Sequence, residues 1–389
     1  MKRQMTIWLS IFVMLGLLLS ACGGGQATQA PVEPAAPAAT EAVAAATEAP
    51  AATEAPAAAM VEPASQIVVY NWSEYIDPEI YTQFEQETGI KVVEDNFSSN
   101  EELYAKLKGG ATGYAMIVPS DYYVAIMKKE GMLAELDHSK IPNISNLAQR
   151  FTEVPYDPGN QYCIPYQWGT TGIGYLDGQV DKPTSWSVFF NPDPNSPAYG
   201  RTTMLDDPRE TFAAALIYLG YDINTTDEAQ LQEAKDLLIK AKPALSGYDS
   251  DTYEDLVASE ENLMAHGWNG DFLVAQEDNE NVAYTIPQEG GVVWVDNMCI
   301  PSTATPEEKL SAEMLMDFIL RPDMGAMLSN FTYYASPNKA AEDLLDADFL
   351  NDPAVYPPPE VLDKLQYITE VGDAQSLYER LWDEVKSAQ

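Results

Sequence analysis

Short apolar runs alternate with amphipathic helical segments from residue 67 onward, and this alternation constrains the fold more than any other feature of the chain. The first three predicted strands are 67–72, 90–93 and 115–118, and predicted helices follow them at 78–87, 101–108 and 122–129. Strands that are separated by helices usually pair in parallel, because each helix carries the chain back across the sheet. The pattern therefore predicts an α/β fold with a largely parallel sheet.

The later part of the chain continues this pattern. Helices are predicted at 208–219, 228–240, 306–320 and 374–386, and a buried strand at 292–300. More than 300 residues from residue 66 onward exceed what one compact lobe usually holds, so two lobes are expected. Ligands bind beyond the carboxyl ends of strands in open α/β sheets, and segments 72–75 and 119–122 directly follow two predicted strands. These segments are therefore predicted to lie at the mouth of a binding site.

The N-terminus has the pattern of an export signal. Lys2 and Arg3 precede an apolar run at 7–19, which stops at Leu19-Ser20-Ala21-Cys22. This run is short for a membrane-spanning helix, and small residues before a cysteine resemble the bacterial lipobox. We therefore expect a lipoprotein signal peptide at 1–21, cleavage before Cys22, and a membrane anchor of acyl chains on Cys22. The alternative is a free cysteine after a plain secretory signal.

Residues 22–65 have the composition of a tether. This segment is rich in Ala, Pro, Thr and Glu, and the sequence ATEAP recurs at 46–50 and 52–56. It lacks the aromatic and branched apolar side chains that could offset the entropy of ordering the chain. We therefore expect an extended spacer that carries no chemistry.

Charge and histidine content exclude several classes of function. The formal net charge is −39, which repels nucleic acid and anionic surfaces and favours the approach of cations. His138 and His266 are the only histidines, so a histidine-rich metal site or a conventional catalytic triad is not expected. No P-loop is present, and the glycines at 172–178 lack dinucleotide-binding spacing. The sequence predicts no cofactor, no metal and no nucleic-acid partner.

Four separated segments each contribute tryptophan, tyrosine or carboxylate side chains. They are 71–75, 206–210, 266–270 and 294–296. An organic polycation needs aromatic faces for its methylene groups, and those faces also attract its charged ends. It needs carboxylates because a buried ammonium group costs several kcal/mol unless it is paired. The combination indicates a binding site for a polyamine.

A set of motifs after the tether resembles the spermidine/putrescine-binding proteins of bacterial ABC importers. The motifs are VYNWSEYI at 69–76, ETGIKV at 87–92, VPS at 118–120, IPY at 164–166 with WG at 168–169, WNG at 268–270, EGG at 289–291 and LRPD at 320–323. The resemblance implies a two-lobed periplasmic-binding-protein type II fold with the ligand in the cleft between the lobes. Lobe 1 would comprise 66–170 and 294–342, and lobe 2 would comprise 171–293 and 343–389. It also implies a monomer that delivers a polyamine to a permease and catalyses no reaction.

The resemblance assigns ligand-binding roles to individual residues. The aromatic side chains are Trp72, Tyr75, Tyr122, Trp268, Trp294 and Tyr334; the acids are Glu74, Asp207, Glu210 and Asp296; and the hydroxyls are Ser73, Ser120 and Ser250. One position departs from the pattern, because Ile368 stands where spermidine binders carry a glutamine. The choice between spermidine and putrescine therefore stays open.

Other interpretations of the same residues are possible. Asp207 and Glu210 also fit a capping box, with Asp207 as the N-cap, Pro208 at the first helical position and Glu210 at the third. A further alternative is that one of Asp206 and Asp207 caps the helix while the other faces the cleft. Trp268, Trp294 and Tyr334 taken singly fit a core or surface role. Paired carboxylates among tryptophans also occur in glycosidases, and the same fold could bind another organic cation or a peptide.

Cys163 and Cys299 are the cysteines that remain after the lipidated one. Each precedes Ile-Pro, at the places where the chain is expected to cross between lobes. Export permits a disulfide, but two buried thiols that pack as small apolar groups would fit equally well. The sequence leaves both possibilities open.

Overall fold

The structure, a computed structural model, describes residues 61–388. The predicted signal peptide at 1–21, the predicted lipidation site at Cys22 and all but the end of the predicted tether lie outside these residues. The strands are β1 Gln66–Trp72, β2 Lys91–Phe97, β3 Met116–Ile117, β4 Cys163–Leu176, β5 Thr202–Met204, β6 Gly247–Tyr248, β7 Met264–Trp268, β8 Val282–Thr285 and β9 Val292–Cys299. The helices are α1 Pro78–Thr88, α2 Asn100–Lys108, α3 Asp121–Lys129, α4 Ser187–Phe190, α5 Pro208–Leu219, α6 Glu228–Ala241, α7 Tyr253–Ala258, α8 Asn269–Ala275, α9 Pro306–Ile319, α10 Pro322–Thr332, α11 Lys339–Glu342, α12 Ala347–Leu350, α13 Pro359–Leu362 and α14 Gln375–Ser387.

The sheet is mixed, and the prediction of a largely parallel sheet is correct only for its two outer parts. The strand order is β2-β1-β3-β9-β4-β7-β5-β6, with β8 also paired to β4. Strand β1 pairs in parallel with β2 and β3, and β5 pairs in parallel with β6 and β7. In the centre, β9 and β4 run antiparallel to each other and to their other neighbours. Strands β4 and β9 carry the chain between the two parallel groups in opposite directions. They therefore pair antiparallel to each other and cannot extend the parallel pairing of either group.

Helix boundaries follow the local sequence signals closely. Asp77 caps α1 through its carboxylate, Pro78 occupies the first turn, and Gly89 ends the helix with φ 76°. Helix α5 begins in the same way at Asp207-Pro208 and ends at Gly220 with φ 79°. Glycine suits these ends because it adopts positive φ without steric cost. The predicted helices at 78–87 and 208–219 are confirmed.

The crossing strands β4 and β9 are buried along their whole length. Cys163 at the start of β4 lies opposite Cys299 at the end of β9, and the two residues form a disulfide with a Cα separation of 4.4 Å. The structure thus decides between the two possibilities that the sequence left open. The disulfide joins the crossing strands at the end that also contacts β3.

Two strands from opposite parallel groups end in tryptophan. Trp72 ends β1, and Trp268 ends β7. The two rings are in contact, with centroids 5.7 Å apart, so the loops that follow these strands lie close together. In residues 61–388, no helix is long and apolar enough to cross a membrane.

Candidate ligand-binding site

A cavity of about 450 Å³ lies between the loops that follow the two parallel groups. Its lining includes every side chain to which the sequence assigned a binding role: Trp72, Ser73, Glu74, Tyr75, Ser120, Tyr122, Asp207, Glu210, Ser250, Trp268, Trp294, Asp296 and Tyr334. These residues span more than 260 positions of the chain, and the fold brings them together. Their common location is a property of the structure, whereas their roles in binding remain predictions.

Most of these side chains reach the cavity from the end of a secondary-structure element, and two reach it from within β9. Ser120 is the N-cap of α3, just beyond β3, and Asp207 is the N-cap of α5, just beyond β5. Trp294 and Asp296 belong to β9, where alternate residues point to the same face. Tyr334 follows the end of α10. Rigid elements therefore position the lining from several directions.

Aromatic rings form two walls of the cavity. Trp72 and Trp268 come from opposite parallel groups, and their ring centroids are 5.7 Å apart with an interplanar angle of 68°. Tyr334 contacts Tyr75 at 5.3 Å and Trp294 at 5.2 Å, in both cases edge to face. Edge-to-face packing leaves ring faces free to contact a ligand, and those faces attract cations.

Asp296 lies at the centre of the site and is 5% exposed. Ser120 Oγ donates to its Oδ1 at 2.6 Å, and Tyr75 OH donates to its Oδ2 at 2.8 Å. Burial raises the pKa of Asp296 to about 7, although the two hydroxyl donors lower it. Desolvation therefore outweighs hydrogen bonding, and a nearby cation would be needed to keep this carboxylate fully ionised at neutral pH.

Asp207 both caps α5 and lines the cavity. Its Oδ1 accepts from Arg209 N at 2.9 Å and from Glu210 N at 3.0 Å. Asp206 turns away and accepts from Lys386 Nζ at 3.0 Å. The predicted N-cap at Asp207 is confirmed, and because this residue also faces the cleft, the two roles are not divided between Asp206 and Asp207.

Glu210 is buried and faces the cavity instead of completing a capping box. Its Oε1 is 3.5 Å from Trp268 Nε1, and its Oε2 has no hydrogen-bond partner among residues 61–388. Burial raises the pKa of Glu210 well above its usual range, and the nearby Asp207 carboxylate adds to the effect. Burial also raises the pKa of Asp207. Two acids with raised pKa values therefore stand side by side at this end of the site.

Ser73 and Glu74 lie at the rim, and both are exposed. Glu74 adopts φ 54°, a left-handed conformation that non-glycine residues rarely adopt. The chain is held in place on both sides of Glu74. Trp72 Nε1 donates to Val118 O at 2.9 Å, and Tyr75 OH donates to Asp296. Backbone outliers of this kind cluster at ligand-binding positions.

Several acids that were not predicted from the sequence line the same cavity. Asp271, in the first turn of α8, accepts from Tyr334 OH at 2.6 Å and also from the Tyr253 hydroxyl. Burial raises the pKa of Asp271 to about 6 and that of Glu254 to about 9. Burial also raises the pKa of Asp121, which begins α3. The only sign of Asp271 in the sequence was its place three residues after Trp268, and the short helix α8 that holds it was not predicted.

The lining has a uniform sign of charge. Eleven of its residues are Asp or Glu, and within residues 61–388 no Lys, Arg or His belongs to it. The buried Arg209 lies behind the lining, over the ring of Tyr122 at 5.5 Å. Several acceptor atoms in the cavity wall have no partner in the part of the chain that the structure describes, namely Glu210 Oε2, Glu254 Oε2, Tyr122 OH and Ser250 Oγ. A ligand with several N–H groups and positive charge fits such a wall.

One lining residue bears on the choice of ligand. Ile368 is buried and contributes an apolar side chain to the cavity. The departure from the spermidine pattern that the sequence showed therefore lies within the candidate site.

Comparisons with known proteins place these observations in context. Residues 79–357 match the family described as bacterial extracellular solute-binding protein. The chain is 39% identical over 321 residues to a spermidine/putrescine-binding periplasmic protein of Escherichia coli, covering 82% of this chain and 90% of that one. It resembles the structure of a spermidine/putrescine ABC transporter substrate-binding protein of Streptococcus pneumoniae, with a TM-score of 0.68, 35% identity, and coverage of 82% and 98%. It also resembles a lipoprotein of Treponema pallidum, with a TM-score of 0.71, 32% identity, and coverage of 82% and 99%. The predicted α/β periplasmic-binding-protein type II fold is confirmed.

Proposed function

The chain belongs to the bacterial extracellular solute-binding proteins, and on that premise we propose that it binds a polyamine outside the cytoplasm and delivers it to an ABC importer. Spermidine and putrescine are the ligands in the names of its relatives. The proposal extends those names to this chain because the chemistry of its own cavity suits such ligands.

The observation that carries the proposal is the combination of acids and aromatic rings in one cavity. Buried carboxylates such as Asp296, Asp207 and Glu210 are costly unless a positive group pairs with them. The ring faces of Trp72, Trp268 and Trp294 suit the methylene segments between the ammonium groups. Unpartnered acceptors in the wall match the several N–H donors of each ammonium group.

Delivery requires the protein to change shape when the ligand binds. Two lobes, 66–170 with 294–342 and 171–293 with 343–389, close over the polyamine, and the permease recognises the closed form. The ligand shifts this equilibrium because it contacts both sides of the cleft and therefore binds the closed form more tightly. The presence of Trp72 and Trp268 on opposite sides of the cavity supports this step.

The protein is anchored to the membrane by acyl chains on Cys22 and acts as a monomer. Support for the anchor comes from the lipobox-like sequence at 19–22 and from the relative that is named a lipoprotein. The tether at 22–65 lets the binding unit reach its permease. The relatives are solute-binding proteins of transport systems, and our proposal includes no catalysed reaction.

Isothermal calorimetry with putrescine, spermidine, spermine and a panel of amino acids tests the proposal. We expect at least one polyamine to bind with a dissociation constant in the micromolar range or below, and the zwitterionic amino acids not to bind. Binding of an amino acid or a peptide in preference to every polyamine would contradict the proposal. Turnover of an aryl glycoside would contradict it in favour of the glycosidase alternative.

A further inference from the structure

Asn100, the first residue of α2, contacts a predicted binding residue through both atoms of its amide group. It is 3% exposed, and its side chain lies against Ser120. Asn100 Oδ1 accepts from Ser120 N at 3.0 Å, and Asn100 Nδ2 donates to Ser120 Oγ at 2.9 Å. Neither the sequence motifs nor the predicted set of binding residues includes Asn100.

These two contacts fix the direction of the Ser120 hydroxyl. A backbone N–H can only donate, so the amide oxygen must face Ser120 N, and the amide nitrogen must then face Ser120 Oγ. Ser120 Oγ accepts from that nitrogen and has one hydrogen of its own to donate. The acceptor in position is Asp296 Oδ1, 2.6 Å away.

We propose that Asn100 is a positioning residue for the polyamine site, which holds the Ser120 hydroxyl as a donor to Asp296 and so fixes the carboxylate that receives an ammonium group of the ligand. Tyr75 holds the other oxygen, Oδ2, in the same way. With one hydroxyl on each oxygen, the carboxylate is held against rotation where it lines the cavity. The inference rests on the proposed function, because it assumes that the ligand is a cation that pairs with Asp296.

The relay matters because it favours the ionised form of Asp296. Burial raises the pKa of Asp296 to about 7, and the Ser120 and Tyr75 hydroxyls act against that rise. The other titratable groups that face Asp296 are Asp121 of α3, Tyr75 after β1 and Tyr166 of β4. If the Ser120 hydroxyl turned away, Asp296 would take up a proton at a higher pH, and a cation would then bind less tightly at neutral pH.

The substitution Asn100→Asp tests this relay with almost no change in shape. It keeps an acceptor for Ser120 N but replaces the amide donor with a second acceptor, so the Ser120 hydroxyl can donate to residue 100 instead of Asp296. We expect the affinity for spermidine at pH 7 to fall about fivefold, because a rise of about one unit in a pKa near 7 lowers the ionised fraction of Asp296 from about one half to about one tenth. Between pH 5.5 and 8.5, the midpoint of the affinity profile should move to higher pH. Asn195→Asp, an exposed site on a turn, controls for the added charge.

A double-mutant cycle with Ser120→Ala separates the relay from other effects. In the Ser120→Ala background the relay is already absent, so Asn100→Asp should lower the affinity much less than it does in the wild-type background. Any direct effect of the new charge on Asp296 is present in both backgrounds and cancels in the comparison. An equal loss in both backgrounds, or a loss that is the same at every pH, would overturn the inference while leaving the proposed function intact. Failure of the wild-type protein to bind any polyamine would overturn both. If Asn100→Asp does not fold, Asn100→Ala removes the amide donor without offering a second acceptor, so it should lower the affinity by a smaller factor, and only in the background that keeps Ser120.

Discussion

Asp296 and Glu74 are both predicted to hold an ammonium group, but the structure gives them opposite surroundings. Asp296 lies in the middle of β9, is 5% exposed and accepts two hydroxyl hydrogen bonds. Glu74 lies in a loop at the rim, is exposed and adopts a left-handed backbone conformation. The energy of an ion pair depends on how far its charges are removed from water. The same residue type should therefore contribute very differently at these two places.

A second difference concerns the protein without ligand. Asp296 pays a desolvation penalty that no basic side chain of the lining offsets within residues 61–388, whereas Glu74 remains in contact with water. The buried acid should thus reduce stability until a cation arrives, and the rim acid should not.

Asp296→Asn should weaken polyamine binding at least tenfold and leave the fold intact. Removing one partner of a desolvated charge pair commonly costs about 2 to 5 kcal/mol. Calorimetry measures the dissociation constant, and circular dichroism checks the fold. An unchanged dissociation constant would remove Asp296 from the site.

The same substitution should stabilise the ligand-free protein at neutral and higher pH. The pKa of Asp296 is about 7 in the folded state and about 4 in an unfolded chain, so the folded state binds more protons between these values. The free energy of unfolding therefore falls as pH rises from about 4 through 7, and an asparagine at this position avoids that loss.

Thermal melts of both proteins at pH 5 and pH 8, without ligand, measure this effect. Asp296→Asn should melt higher than the wild type at pH 8, and the gap should shrink at pH 5. Comparing the two proteins at each pH cancels other titrations, such as that of buried His266, whose pKa is lowered to about 3 by burial. A variant that melts lower than wild type at pH 8 would show that Asp296 stabilises the fold.

Spermidine should bind about tenfold or more tightly than putrescine. With one acid for each ammonium group, a triamine leaves one of the four predicted acids unpaired and a diamine leaves two, and the second unpaired acid costs about 1 to 3 kcal/mol. Ile368 acts against this preference, because it supplies no polar contact at its end of the cavity. Competition between the two ligands measures the ratio, and equal or tighter binding of putrescine would favour a diamine site.

Glu74→Gln should have the smallest effect, below about tenfold on spermidine affinity. An exposed ion pair contributes about 0 to 1 kcal/mol because water screens it. The loss should also shrink as the salt concentration rises, in contrast to the loss caused by Asp296→Asn. A loss as large as that of Asp296→Asn would mean that Glu74 becomes buried when the ligand binds.

Much of the framework followed from local patterns in the sequence. Helix α5 has the predicted bounds, because Asp207-Pro208 and Gly220 are signals that act within a few residues. The thirteen predicted residues of the cavity wall were found mainly through motifs shared with a known family, and all thirteen line one cavity. Periodicity alone would have left Trp268 and Trp294 as core residues.

Other features depend on contacts between distant parts of the chain and could not be predicted from local patterns. The Cys163–Cys299 disulfide joins residues 136 positions apart, and the hydrogen bond from Ser120 to Asp296 spans 176 positions. The antiparallel centre of the sheet, the position of the Asp207 cap in the cavity wall, and the presence of Asp271 in that wall have the same origin. Local patterns fix where strands and helices begin and end, because capping and periodicity act over a few residues. Which side chains meet, and how deeply each carboxylate is buried, depends on how the two parallel groups pack around β4 and β9.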